Sequence, residues 1–369
     1  MKIQTDSATK TANIIIDFFS NIDRIDDYFR LRKIERVKNL PAPIPGFGLE
    51  DDMFQNYDMH PEDMDIEVAQ IDNQTFNAML EKVASFSPDQ APGKELKLVV
   101  KEKNTNTLLG FIKLGSPIIN SKPRNNYLGD VPELTIFNQR AIMGFVIVPI
   151  QPFGYNYLGG KLMALICTSH KVREMLNDKY ETEFCLFETT SLYGNIKGMS
   201  MYDGLKPFLR FKGDTESKFV PTLGEEAYAS CKKIIEDDIQ DEIIHKDASS
   251  RKLKITTKMI SLIKSSLKET DMELYDKFVS AITKAESVTT QKRFYMSDYG
   301  YENARDVLLG KTETLIKGPN YHKHDLENII SWWKRKASSR YDKLKSEDRI
   351  RKELEVWNAD TMNKIDIIR

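Results

Sequence analysis

The period of the apolar positions changes twice along this chain. Over residues 7–38, Ile22, Ile25, Phe29 and Val37 recur near helical spacing with Arg and Lys between them, which predicts helix. Three prolines and two glycines exclude a helix from Leu40–Gly48, and Glu50–Glu67 reads as an acidic, Met-rich arm. Ile71–Phe86 is helical again, with Phe76, Met79, Leu80 and Val83 on one side. From Leu96 the pattern becomes that of strands. Leu96–Lys101 and Leu108–Lys113 are β-forming runs joined by a polar turn, which predicts a hairpin. After a loop over Ser116–Gln139, Ala141–Ile150 is a continuous apolar run of the kind that forms a fully buried central strand. Helical spacing then runs through Leu158, Leu162, Leu165, Ile166, Val172 and Leu176. Phe184–Thr189 reads as a strand, Met199–Lys206 as a short helix and Pro207–Phe211 as a last strand. Beyond Leu223 the chain is predicted to be helical, ending in a helix over Asp325–Lys345.

These elements predict an α+β protein, with a mixed central sheet flanked by helices and a helical, basic C-terminal region. The expected organisation is a helical N-terminal arm over residues 1–90, a sheet domain over 91–222 and the helical region over 223–369. A chain of 369 residues can bury a core of that size.

Composition narrows the class. Hydrophobic residues make up 40% and charged residues 30%, a balance that excludes a disordered chain. No apolar run approaches the roughly 20 residues of a membrane span, and the N-terminus lacks the layout of a secretory signal. Cys167, Cys185 and Cys231 stand alone, an odd count without CxxC spacing, which argues against a disulfide framework or a zinc ribbon. The expectation is a cytoplasmic protein with buried thiols and no membrane association. Net charge is −1, but from His245 onward there are 26 Lys and Arg against 19 Asp and Glu. That asymmetry suits an anionic partner for the basic end, and a solvated helical face accounts for it equally.

The candidate chemistry lies where the central strand ends, in Val148-Pro-Ile-Gln151-Pro-Phe-Gly154-Tyr-Asn156-Tyr-Leu-Gly159-Gly160-Lys161. A strand entering a helix through a glycine-bearing loop offers unpaired N–H groups and a positive dipole end, which together can hold a pyrophosphate. This segment resembles the GNAT superfamily of N-acetyltransferases, whose loop reads Gln/Arg-x-x-Gly-x-Gly/Ala. Gln151 and Gly154 match the first two positions, and Asn156 stands at the third. The resemblance implies a GNAT-like sheet and a site for acetyl-CoA or a related acyl-CoA at Val148, Gln151, Gly154, Asn156, Gly159 and Gly160. It continues through Phe184-Cys-Leu-Phe-Glu188, at the place of the family's fifth strand. Tyr202-Asp203-Gly204-Leu205 then looks like its tyrosine-bearing element, in which the tyrosine protonates a departing thiolate. A phenol with a pKa of about 10 suits that role.

Within that superfamily, Leu108-Leu-Gly-Phe-Ile-Lys-Leu-Gly-Ser116 and Glu188-Thr-Thr-Ser191-Leu-Tyr193-Gly194 resemble the phage Mom-type DNA-modification proteins and the DruA-like defence proteins. This implies an acyltransferase-like enzyme that modifies a DNA base, as in phage protection against restriction. Tyr202, Ser191, Glu188 and Asp203 become the candidate catalytic residues, with Glu188 or Asp203 as general base if burial raises its pKa. Arg124 and Arg140, flanking the central strand, become candidate phosphate contacts. Each has a structural alternative, such as Glu188 in an ion pair and Tyr202 in packing.

In the tail, Ile329, Ile330, Trp333, Ala337, Tyr341 and Leu344 form an apolar stripe, and Trp333 is expected in the core. Lys334, Arg335, Arg340, Lys343 and Lys345 are left as candidate DNA contacts, with Lys292 and Arg293 beside Phe294 and Tyr295 as a second group. His322 and His324, two histidines at i, i+2 without nearby carboxylate or Cys partners, are expected to be surface histidines at the start of a helix, and no metal is expected. HExxH, Walker A and GxSxG motifs are absent. The rival reading is a non-catalytic DNA- or protein-binding factor, connected with phage infection or defence, that keeps the fold without the cofactor. Asn156 at the third loop position is the feature that supports it.

Overall fold

A computed structural model describes residues 2–38, 58–86, 93–192, 194, 198–219, 221–244, 251–288, 290–358, 360–361 and 363–365. Leu40–Gly48, the first part of the Glu50–Glu67 stretch and Tyr193 lie outside them. The protein is α+β, and the described residues form seven strands and thirteen α-helices. The strands are β1 (Ile66–Gln70), β2 (Glu95–Glu102), β3 (Thr107–Gly115), β4 (Ala141–Pro149), β5 (Leu186–Ser191), β6 (Arg210–Phe219) and β7 (Thr290–Ser297). The helices up to β5 are α1 (Thr5–Ser20), α2 (Ile25–Lys38), α3 (Asn73–Val83), α4 (Lys122–Leu128), α5 (Leu134–Arg140), α6 (Phe153–Asn156), α7 (Gly159–Cys167) and α8 (His170–Tyr180). After it come α9 (Glu225–Ile239), α10 (Arg251–Thr270), α11 (Met272–Ser287), α12 (Ala304–Leu308) and α13 (Leu326–Ser346).

The chain divides into two compact units. One is helical: α1 packs against α9, α10 and α11, and buries Ala8, Ala12, Ile15 and Phe19. The other holds the sheet with α3–α8, α12 and α13. Its strand order is β1-β2-β3-β4-β5-β7-β6. From β1 to β4 neighbours run antiparallel, β4 and β5 are parallel, and β5 and β7 are antiparallel again.

Strand alternation sorts the core into two faces. Leu96, Leu98 and Val100 of β2 point to a large cluster shared with Leu162, Met163 and Ile166 of α7 and Trp333 of α13. Val99, Phe111 and Val146 point to the other face, where Phe76, Met79, Leu80 and Val83 of α3 cover them. The apolar stripe of α13 is buried as its spacing predicts, and the indole Nε1 of Trp333 donates to the Tyr157 carbonyl at 2.9 Å. All three cysteines are free and buried.

Several elements differ from the sequence expectation. The helix over 7–38 is broken between α1 and α2. The acidic arm ends in an edge strand, β1, which buries only Ile66 fully. The loop over Ser116–Gln139 contains α4 and α5, and the crossover helix is interrupted into α6, α7 and α8. The Tyr202 segment forms turns rather than a helix. Past residue 223 the chain is not wholly helical, because Thr290–Ser297 inserts as β7 between β5 and β6. Its Phe294, Tyr295 and Met296 are all buried.

Trp333→Ala is expected to lower stability by about 3–5 kcal/mol, the usual cost of truncating a buried tryptophan. Trp333→Phe, which loses mainly the Tyr157 hydrogen bond, should cost less. Urea denaturation of both variants checks the order.

Candidate functional site

The parallel rungs between β4 and β5 run only from Ala141↔Leu186 to Gly144↔Thr189. Beyond Gly144, β4 keeps its pairing with β3, while Thr190 and Ser191 of β5 pair with β7. The two strands therefore part toward their carboxyl ends, the usual position of ligands in sheets with parallel strands. The sequence-predicted site residues lie around this divergence.

On the β4 side, Val148 is half-buried opposite Phe111 of β3. The turn that follows is closed by the chain itself. The N–H groups of Gly154, Asn156 and Tyr157 donate to the carbonyls of Ile150, Pro152 and Phe153. The Gln151 side chain accepts from Tyr155 N–H at 3.0 Å, and the Gln151 carbonyl accepts from Glu355 N–H. Asn156 is wholly buried. Its amide donates to the Arg351 carbonyl at 2.7 Å and accepts from Arg351 N–H at 3.0 Å. Arg340 Nε donates to the Tyr155 carbonyl at 3.1 Å.

The glycines here serve internal packing. A Cβ on Gly154 would meet the Gln151 amide and Pro149, one on Gly159 the Phe153 ring, and one on Gly160 the Met201 sulfur. Lys161 donates to the carbonyls of Met201 and Asp203 across the start of α7. In the turn, the N–H groups of Gly154, Tyr155, Asn156 and Tyr157 and the Asn156 side chain are thus bonded within the chain, while no side chain caps the start of α7 at Gly159.

On the β5 side, Glu188 and Arg124 are both wholly buried and paired at 3.1 Å. Arg124 also donates to the carbonyls of Ile118 and Ile119 and stacks over Phe137. This corrects the reading of Arg124 as a phosphate contact: its guanidinium is used to hold the segment before α4. Arg140 donates to the Glu183 carbonyl. Desolvation pushes the Glu188 carboxyl up to about 7, against the pull of Arg124. Tyr202 is buried edge-on to Tyr295, and burial raises its phenol well above the usual range, with Thr189 as a hydrogen-bond partner in opposition.

Ser191 and Asp203 are more accessible. Ser191 Oγ accepts from Gly194 N–H at 3.0 Å. The Asp203 carboxylate accepts from Tyr295 OH at 2.8 Å, from Ser200 N–H at 2.9 Å and from Arg293 at 3.3 Å. Desolvation acts upward on this carboxyl, but the Ser200 and Tyr295 hydrogen bonds and the charges of Arg293 and Lys161 outweigh it and hold it low. Ser191 and Arg293 are register partners across β5 and β7. Sequence reasoning placed Arg293 and Tyr295 in a separate surface patch, and only strand pairing brings them to Asp203.

The tail residues are spread along α13. Lys334 Nζ donates to the Glu62 carbonyl, Arg335 is exposed, Lys343 lies 3.9 Å from Glu347 and Lys345 lies over the Tyr341 ring. The helix contains six Lys and Arg against two acidic residues, Glu327 and Asp342. The expectation of two surface histidines holds for His322 and fails for His324, which is buried with Nδ1 2.7 Å from the Thr168 carbonyl. Among the described residues no group of three or more His, Cys, Asp or Glu side chains is placed to hold a metal, and no helix is long and apolar enough to cross a membrane.

Residues 47–200 match the sequence model of the family described as Druantia protein DruA. The matched segment takes in β1–β5 and the turn after β4; it ends before Tyr202 and excludes β6, β7 and α13. No curated protein and no solved structure matches the chain.

The raised Glu188 pKa has a defined sign. Between about 4.5 and 7 the folded protein keeps a proton that the unfolded chain has released, so this group makes stability fall as pH rises through that window. Glu188→Gln should remove that part of the slope, as read from urea unfolding at pH values across the window. Arg124→Ala, which leaves the carboxylate uncompensated, should cost about 3–5 kcal/mol at neutral pH.

Proposed function

We propose that this chain is a nucleic-acid-binding component of a Druantia-type anti-phage defence system, acting through the basic surface of α13 and its C-terminal extension. The observation that carries this reading is the closure of the turn after β4. The segment that would receive an acyl cofactor is bonded to the chain's own residues 351–355, and the same closure presents basic side chains outward. The match of residues 47–200 to the DruA model supports the defence context. The excess of Lys and Arg on α13 supplies the sequence-independent attraction that phosphate backbones require.

The acyltransferase reading keeps one supporting observation. Tyr202 and Thr189 lie where β4 and β5 part, the place a ligand between diverging strands would reach. In that reading acetyl-CoA or a related acyl-CoA would meet Gln151, Gly154 and Gly159, and the segment around Arg351 would have to leave Asn156. Modification of DNA bases would be the outcome.

Fluorescence anisotropy of a labelled DNA duplex with the full chain tests the first reading. Affinity should fall steeply with salt, and the Lys334→Ala, Arg335→Ala, Lys343→Ala triple variant should flatten the logarithmic salt slope by about 2–3. Calorimetric titration with acetyl-CoA should give no binding heat. Acetyl-CoA binding, with a new nucleoside mass in DNA from expressing cells that is lost in Tyr202→Phe, would replace this reading with the enzymatic one.

A further inference from the structure

Three arginines converge on one tyrosine at the tip of the turn after β4. The guanidinium carbon of Arg351 lies 3.7 Å from the centre of the Tyr155 ring, and that of Arg340 lies 4.6 Å from it. Arg349 donates to the Tyr155 hydroxyl at 3.2 Å. Arg349 and Arg351 side chains are more than half exposed, and Tyr155 is half-buried. Carboxylates only partly offset this charge. Glu347 pairs with Arg349 at 2.6 Å, Glu355 lies 3.9 Å from Arg351, and among the described residues none lies within ion-pair distance of Arg340. The field at the tyrosine is accordingly positive. Desolvation acts to raise its phenol, but the Arg349 hydrogen bond and the charges of Arg349, Arg340 and Arg351 bring it below the usual value.

Like charges gathered this closely repel one another unless an anion joins them. Guanidiniums take phosphate through paired N–H groups, and Arg349 and Arg351 present theirs at the surface beside Tyr155. Cation–π contact with Tyr155 holds the guanidiniums of Arg340 and Arg351 in place, which reduces the side-chain entropy lost on binding.

We infer that Arg340, Arg349 and Arg351, arranged around Tyr155, form a phosphate-binding site. The inference rests on the nucleic-acid reading for its preferred ligand, a backbone phosphodiester, and a free phosphate is the other source of the same chemistry. None of the three arginines is needed to close the turn through its charge. Arg351 holds Asn156 by its backbone, while the side chains of Arg340 and Arg349 donate to the Tyr155 carbonyl and hydroxyl.

The test uses the full chain with Arg349→Gln and Arg351→Gln combined, beside Arg335→Ala with Lys343→Ala as a separate α13 control. Thermal melting of each variant should match the parent. The probes are a labelled single-stranded oligonucleotide, followed by anisotropy, and inorganic phosphate, followed by phosphorus NMR line broadening. Oligonucleotide affinity should fall roughly tenfold in the arginine double variant, with the salt slope reduced by about one for each arginine removed. Arg349→Lys with Arg351→Lys should recover only part of the loss, since an ammonium lacks the bidentate fork. If inorganic phosphate binds the parent and not the double variant while the oligonucleotide binds neither, the phosphate site stands and the nucleic-acid reading falls. If both probes bind parent and double variant alike, the site is refuted, and loss confined to the α13 control would leave the nucleic-acid reading intact.

Discussion

The parallel pairing of β4 with β5 sets the form of the sheet unit. Adjacent parallel strands cannot be joined by a tight turn, so the chain must leave β4, cross one face of the sheet and return to the start of β5. That crossover is α6–α8, and its apolar side forms the larger core together with the stripe of α13. The rungs stop at Gly144 and Thr189, which leaves the last residues of β4 without a partner on the β5 side. The turn after β4 then carries polar groups that the sheet cannot satisfy, and buried polar groups require partners from elsewhere. Trp333, Arg340, Arg351 and Glu355 supply them.

Closure of the turn and concentration of positive charge are therefore one feature. Arg351 satisfies Asn156 through its backbone, and its guanidinium gathers with those of Arg340 and Arg349 at Tyr155. Opening the turn for a cofactor would break both hydrogen bonds between Asn156 and Arg351 and would disperse that charge. The same residues thus favour a surface that holds phosphate from outside over a crevice that takes it inside.

The parts of the fold that were legible in the sequence are those with strong local periodicity. The β2–β3 hairpin, the apolar run of β4 and the stripe of α13 with Trp333 in the core all follow from spacing alone. β1 was hidden because an edge strand needs only one fully buried side chain, here Ile66, and it begins inside an acidic stretch. β7 carries Lys292 and Arg293 beside aromatics, which reads equally as a nucleic-acid patch, and only pairing with β5 decides its burial. Glycine presented the same ambiguity. A missing Cβ at Gly154 permits close approach of a phosphate or of the chain's own Gln151, and sequence cannot choose between them. Asn156 was marked as a departure from the cofactor pattern, but its partner Arg351 is 195 residues away. Pairings of that range, like Arg124 with Glu188, leave no periodic signal.

Burial also separates the chemistry-bearing residues into two groups with opposite deficits. A general base works best with a pKa near the working pH. Glu188 is driven toward that range by desolvation, but it is sealed in the core against Arg124. Asp203 is accessible, but its hydrogen bonds and cationic neighbours hold it in the low range of a spectator carboxylate. Tyr202 is made a weaker acid by the same burial that removes it from solvent. The group with suitable basicity lacks access, and the group with access lacks the basicity. General-base catalysis by either carboxylate would need a rearrangement that exposes Glu188 or strips Asp203 of Arg293 and Tyr295. Phosphate binding at Tyr155 needs neither, because its donors already face outward in the folded chain.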